Sequence, residues 1–231
     1  MDEAPVDGEL EGAVEEGKSE PNAAPEEHDS QPNGVTPKDV DPELQAERER
    51  LAAERRVRRD AALRFVRKWG DPVLKSRAGP VERFDETLQA EIERMARIME
   101  EGMGIGLAAT QLGVLHRVLV YRIEPDAPIA ALVNPELEWS GDEHQEAEEG
   151  CLSLPGVLID VERPVHVRVR GQGAAGEDLL IEASGLEARV LQHEIDHLDG
   201  VLILDRADRA QRKEAIRALR ERERDPTGAG V

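Results

Sequence analysis

The chain has 231 residues, enough for one or two domains. Fifty acidic residues against 30 basic give a formal charge of −20, which argues against a protein that coats nucleic acid, and no stretch approaches the roughly 18 apolar residues of a membrane span. Aromatic residues make up 2% and there is one cysteine, so the core must rest on Leu, Ile, Val, Met and Ala, no intramolecular disulfide can form, and with no apolar leader the expected location is cytoplasmic.

Charge is unevenly spread along the chain. Residues 1–45 hold 14 acidic and 2 basic residues and carry −12, leaving −8 for the other 186. Pro5, Pro21, Pro25, Pro32, Pro37 and Pro42 interrupt them and no apolar periodicity develops, so residues 1–45 are expected to be a disordered acidic N-terminal extension. Residues 46–62 read as a basic helical linker, part of a helical stretch over 43–68 that holds Arg55, Arg56, Arg58, Arg59, Arg64, Arg67 and Lys68. Leu51, Val57, Leu63 and Val66 form only a partial stripe, which favours a solvated helix over a contact with an anionic surface such as RNA.

A folded domain is expected over 63–209. Trp69-Gly-Asp-Pro reads as a turn; Asp85 can cap a helix in which Leu88, Ile92, Met95 and Met99 recur at helical spacing, with Gly102 as its stop. The run Gly104-Ile-Gly-Leu-Ala-Ala-Thr-Gln111 is rich in small residues suited to close backbone approach, but it lacks the spacing of a phosphate-binding loop. Arg117–Ile123, Ala130–Val133, Val165–Arg170 and Leu179–Ala183 read as strands, and His116, His144 and His166 as exposed residues. Residues 210–231 form a charged C-terminal helix and tail with Ala215, Ile216 and Leu219 as its apolar positions. Strands first and a key helix after them indicate an α+β fold with antiparallel strands packed around a central helix.

That helix carries the chemistry. Gln192-His-Glu-Ile-Asp-His197 reads His-Glu-x-x-His, which places His193 and His197 one turn apart on one face, able to reach one metal ion, with Glu194 as base toward a metal-bound water. Ser184 and Glu187 fit a capping box, Ala188, Leu191, Ile195 and Leu198 form a core stripe, and Gly200 is a natural stop, so the helix should span about Gly185 to Leu198. Leu186 and Val190, seven and three before His193, line up with it as an apolar wall. Arg189 is charged where an apolar residue would suit such a wall.

Gly104–Gln111, Glu149-Gly-Cys-Leu-Ser153 and Gln192–His197 together resemble the three signature motifs of bacterial peptide deformylases, in the family's order and with similar separations, over roughly Leu63 to Arg209. The acidic head lies outside that pattern. The resemblance implies a deformylase catalytic domain over 63–209 in which Cys151, His193 and His197 bind one divalent metal, most commonly Fe2+, with Zn2+, Ni2+ or Co2+ also compatible. It implies Glu194 as general base and acid, Gln111 and the Leu152 backbone N–H as oxyanion donors, and Ile105, Gly106, Gly150, Leu186 and Val190 along the substrate. The implied reaction removes the formyl group from the N-terminal methionine of new polypeptides and releases formate. N-formylmethionyl nascent chains are the implied partner, the ribosome near its exit tunnel a possible one, and neither membrane nor DNA is expected. A zincin-type endopeptidase shares His-Glu-x-x-His but takes its third ligand from a downstream His or Glu; this chain has no further histidine, and Glu214, Glu221 and Glu223 fall in a separate charged helix. A non-catalytic homologue would not need every one of these positions intact.

Overall fold

In the computed structural model, residues 41–224 are described. Packing divides the chain into two units, Met1–Asp41 and Pro42–Val231, and the second holds everything below. The expected disorder of the acidic extension falls, for residues 1–40, outside the described residues.

Helix α1 spans Pro42–Leu63, so residues 42–45, assigned by composition to the extension, belong to the helix instead. Proline at the first helical position has no N–H to lose and a fixed φ that suits the turn. The following residues are strong helix formers, and Glu54 pairs with Arg50 and Arg58 one turn away on either side. Ala62 is the one residue of α1 that is buried. A short 3-10 turn, Pro72–Lys75, is capped by Asp71, whose carboxylate accepts from the Val73 N–H at 3.0 Å. Helix α2, Glu86–Glu101, is capped by Asp85 as expected and buries Leu88, Ile92, Met95, Ile98 and Met99. Its end differs in detail: Gly102 stays right-handed at φ −71°, and the left-handed residue is Met103 at φ 61°.

Seven strands follow: β1 Gly106–Ala108, β2 Val118–Tyr121, β3 Ala130–Ser140, β4 His144–Cys151, β5 Leu154–Pro164, β6 His166–Gln172 and β7 Asp178–Ser184. Five form an antiparallel sheet in the order β1-β2-β3-β6-β7, and β4 pairs with β5 as a separate hairpin. Helix α3 is Gly185–Leu198, α4 is Ile203–Arg206 and α5 is Arg209–Arg224.

The core has three parts. Alternate residues of β2 enter opposite faces: Val118 and Val120 pack with α2, while Leu119 and Tyr121 pack with Ala188, Leu191, Ile195 and Leu198 of α3. This two-sided burial explains the unbroken apolar run of β2. The third part lies under the hairpin, where Val157, Ile159 and Val161 meet Leu202, Ile203 and Leu204 together with Ala215 and Leu219 of α5. The C-terminal helix is therefore packed on the body along its Ala215–Leu219 stripe rather than wholly solvated. Helix α3 contacts both the five-stranded sheet and β5 of the hairpin, the α+β arrangement anticipated from the sequence.

Candidate metal centre

The expected helix limits are met by α3, but its N-terminus is built differently. Ser184 is the N-cap without a side-chain bond, and Glu187 accepts instead from the Tyr121 hydroxyl at 3.1 Å, so no capping box forms. At the other end Gly200 adopts φ +74°, and a Cβ there would meet the Lys75 carbonyl oxygen at 2.7 Å.

The helix presents His193 and His197 toward Cys151, and ligand atoms of the three residues lie within 4.8 Å of one another. Cys151 is delivered at a register shift: Gly150 pairs with Leu158 but Cys151 pairs with Leu154, so Pro155, Gly156 and Val157 of β5 bulge opposite the end of β4. Its Sγ lies 3.2 Å from His197 Nε2 and accepts from the Ser153 N–H at 3.4 Å. His193 directs Nδ1 to Glu149 at 2.8 Å, which leaves Nε2 for the cluster.

Around these three stands a charged frame that the sequence reading did not assign. Glu149 receives Arg163 Nε and Nη2 at 2.6 and 2.9 Å and Arg189 Nη1 at 2.7 Å. Arg163 also donates to Asp196, which in turn binds Arg206. Arg189 further donates to the Val161 and Gln145 carbonyls, so its charge is held by the hairpin. One signal was present in the sequence: Arg163 continues the inward alternation of Val157, Ile159 and Val161, and a charge at a core position needs a buried partner.

The electrostatics follow from this geometry. Burial pushes the Cys151 thiol up, but the charge of His197 and hydrogen bonding from both imidazoles outweigh it and hold the thiol well below its ordinary range. Burial lowers His193, yet the thiolate and Glu149 bring it up to about 10. Burial would raise Glu149, but His193 and Arg163 hold it at about 2. Glu194 is pushed above the usual carboxylate range by burial, against the opposing charges of His193 and His197. Its Oε2 is buried without a hydrogen-bond partner.

The other anticipated residues fall as follows. Gly106 lies against Glu194, and a Cβ on it would overlap that carboxyl group. Gln111 is 2% exposed; its Oε1 accepts from the Ala108 N–H at 2.9 Å, and its Nε2 points to Cys151 Sγ at 3.6 Å and Ser153 Oγ at 3.3 Å. The Leu152 side chain packs on the α2 core. Gly150 faces Leu158 across the hairpin. Ile105 is half-exposed, as is Leu186, whereas Val190 is buried in the core between α3 and the sheet.

The donor set, one thiol and two imidazoles with a carboxyl alongside, could hold a divalent metal ion, and three protein ligands leave a fourth position open, whereas a closed structural site takes four. The polypeptide deformylase family model matches residues 63–213. A peptide deformylase of Acidothermus cellulolyticus is 47% identical over 162 residues, covering 70% of this chain and 88% of that protein. Among solved structures, a peptide deformylase from Legionella pneumophila aligns with a TM-score of 0.67 at 38% identity, covering 72% of this chain and 98% of the other. The Thermotoga maritima enzyme aligns at 0.60 with 45% identity, covering 62% and 96%. The chain belongs to the polypeptide deformylase family, and it is an enzyme of that kind.

Proposed function

We propose that the protein is a metal-dependent hydrolase that removes the N-formyl group from the N-terminal methionine of newly made polypeptides and releases formate. The observation that carries this reading is the convergence of Cys151, His193 and His197 beside the buried, unpartnered carboxyl of Glu194. The site fits a divalent cation on its donor chemistry: a thiol already biased toward thiolate, and an imidazole whose outer nitrogen is held by Glu149. Bound by these three residues, such an ion supplies Lewis acidity that brings a water within reach of deprotonation near neutral pH. Ferrous iron is our assignment by family resemblance; zinc, nickel and cobalt suit the same donors.

The chain's own groups carry the remaining work. Glu194 takes a proton from the attacking water and passes it to the departing amine as the C–N bond breaks, leaving formate and a free N-terminus. Gln111 Nε2 and the Leu152 N–H donate to the formyl oxygen as it gains charge; each such donor is worth about 3 kcal/mol of barrier. Gly106 gives the substrate backbone and the Glu194 carboxyl room to coexist. Ile105, Gly106 and Gly150 flank the peptide, with Leu186 and Val190 toward the methionine side chain. Residues 63–209 form the catalytic domain in this reading, with 46–62 as a linker and 210–231 as helix and tail.

No helix of the described residues is long and apolar enough to cross a membrane, and we place the enzyme in the cytoplasm. The exposed Arg212, Arg217 and Arg220 of α5 are our candidates for contact with ribosomal RNA near the nascent chain. Reversing Arg217 and Arg220 to Glu should weaken salt-sensitive co-sedimentation with ribosomes; unchanged binding would remove α5 from that role.

Metal analysis coupled to formate release from a formyl-Met peptide tests the central reading. Glu194→Gln should retain the metal and lose most turnover, because an amide can hydrogen-bond but cannot carry the proton. Parallel loss of metal would make Glu194 structural, and turnover by metal-free enzyme would overturn the mechanism. An internal peptide bond should stay intact, which separates this activity from that of an endopeptidase.

A further inference from the structure

The turn that follows α1 grips the site from outside. Arg67 N–H donates to the Gln111 carbonyl at 2.7 Å, Lys68 Nζ to the Leu152 carbonyl at 2.9 Å, and Trp69 N–H to the Ser153 carbonyl at 3.0 Å. Three consecutive residues thus tie together two segments that are far apart in sequence, and both segments carry a donor of the proposed mechanism. Gln111 sits in the 3-10 turn after β1, and Leu152 sits at the tip of the hairpin just past the register shift. Neither segment is held to the other by strand pairing.

Two of the three ties are backbone to backbone, so no side-chain change other than to proline removes them. The third depends on a side chain. Lys68 is half-buried, and among the described residues no carboxylate pairs with it. Burial holds the Lys68 ammonium below its usual range, with Cys151 opposing that shift and Arg59 adding to it. A partly desolvated ammonium without a carboxylate is costly and needs a reason. An uncharged residue of the same length would serve if the position only filled space.

We propose that Lys68 is a positioning residue for deformylation: it anchors the Leu152 carbonyl, and so fixes the hairpin tip that carries the Leu152 N–H, relative to Gln111. Its charge also favours the negative oxygen that develops beside that tip. A tie of this kind acts on the transition state, because a loosely held donor still admits substrate but stabilises the oxyanion poorly. The inference rests on the reading of Gln111 and Leu152 as the oxyanion donors.

The test uses the metal-loaded enzyme and a short formyl-Met peptide. Lys68→Met keeps the length of the side chain and removes its bond and charge. It should lower kcat about tenfold while KM changes by less than about twofold, with metal content and Tm close to wild type. Lys68→Arg, which can still donate to the carbonyl, should recover most of the loss. Gln111→Leu is measured alongside. If Gln111→Leu loses turnover and Lys68→Met does not, the inference falls and the site reading stands. If Gln111→Leu keeps full turnover, the oxyanion reading falls and takes the inference with it. Loss of kcat in proportion to loss of metal in Lys68→Met would make Lys68 a structural support and would also overturn the proposal. Should Lys68→Met fail to fold, Lys68→Leu is judged by the same criteria, because it too keeps apolar bulk without a donor or a charge.

Discussion

Glu194 and Gly106 show how a single missing side chain shapes the site. The Glu194 carboxyl occupies the space that a Cβ on Gly106 would take, so β1 can approach Glu194 only as glycine. Gly106→Ala should therefore displace the carboxyl and lower kcat by about 100-fold, the penalty typical of a catalytic group misplaced by an ångström. Metal content should hold, since the clash does not involve the ligands; a variant with normal kcat would show that Glu194 can move without consequence. Cys151 offers a complementary test. Cys151→Ser should lose most of its metal, because a neutral hydroxyl replaces a group that its surroundings already bias toward thiolate. Cys151→Asp should keep some metal as an anionic ligand but turn over poorly. Full metal occupancy in the serine variant would take Cys151 out of the ligand set.

Two elements depend on end groups whose effects can be measured separately from activity. Met103 follows α2 with φ 61°, and the Gly104 N–H beyond it closes on the Met99 carbonyl at 2.9 Å, a helix end that usually recruits glycine. Its side chain is 70% exposed, so little packing is lost by removing it. Relief of left-handed strain is worth about 1 kcal/mol, and Met103→Gly should raise Tm by about 2 °C in a domain of this size. A lower Tm would mean that the methionine makes a contact worth more than the strain. Asp205 ties α4 to the preceding turn: its Oδ2 accepts from the Leu202 N–H at 2.8 Å and from Lys75 at 2.6 Å. Burial raises its pKa, but Lys75 and the Leu202 N–H outweigh this and leave it below the ordinary value. A depressed folded-state pKa means that Asp205 stabilises the fold fully above the unfolded carboxylate value near 4 and loses that contribution as pH falls below it. Asp205→Asn should lower Tm at pH 7 and narrow the gap to wild type toward pH 3; a constant gap would deny the linkage. Sequence made α2 and α3 legible because their apolar stripes and end residues are local. Strand β4 was not legible: it reads His-Gln-Glu-Ala-Glu-Glu-Gly-Cys, exposed along most of its length, so neither alternation nor branched residues mark it. The capping box failed for a related reason, since the partner of Glu187 is Tyr121, 66 residues away. The Cys151–His193–His197 cluster was legible through its motifs, whereas the Arg163–Glu149–Asp196 frame required the pairing of β4 with β5 and the position of α3 to be known.

For the molecule as a whole, the question is where the self-sufficient unit begins. Among the described residues, no core cluster contains a residue before Ala62, and residues 42–61 of α1 are exposed throughout. The family match starts at residue 63, but Ala62 packs in the α2 cluster with Val66, and Leu63 lies against it. The stabilising boundary should therefore lie a little before the strap of residues 67–69, not at the acidic segment. Removing residues 1–41 should leave kcat/KM on a short formyl-Met peptide and Tm unchanged. Removing residues 1–60 should also preserve kcat/KM and cost no more than about 2 °C in Tm, because exposed helix contributes little beyond weak neighbour pairs. Removing residues 1–66 strips Ala62, Leu63 and Val66 from the core, at roughly 1 kcal/mol or more for each large apolar side chain lost. It also leaves a free chain end at Arg67, whose N–H holds Gln111, so both Tm and kcat should fall together. A graded series of deletions assayed by formate release and thermal melting decides the matter. Loss of stability or turnover with the first deletion would assign residues 1–41 a part in the catalytic domain, and an active, stable protein lacking residues 1–66 would show that the strap is dispensable.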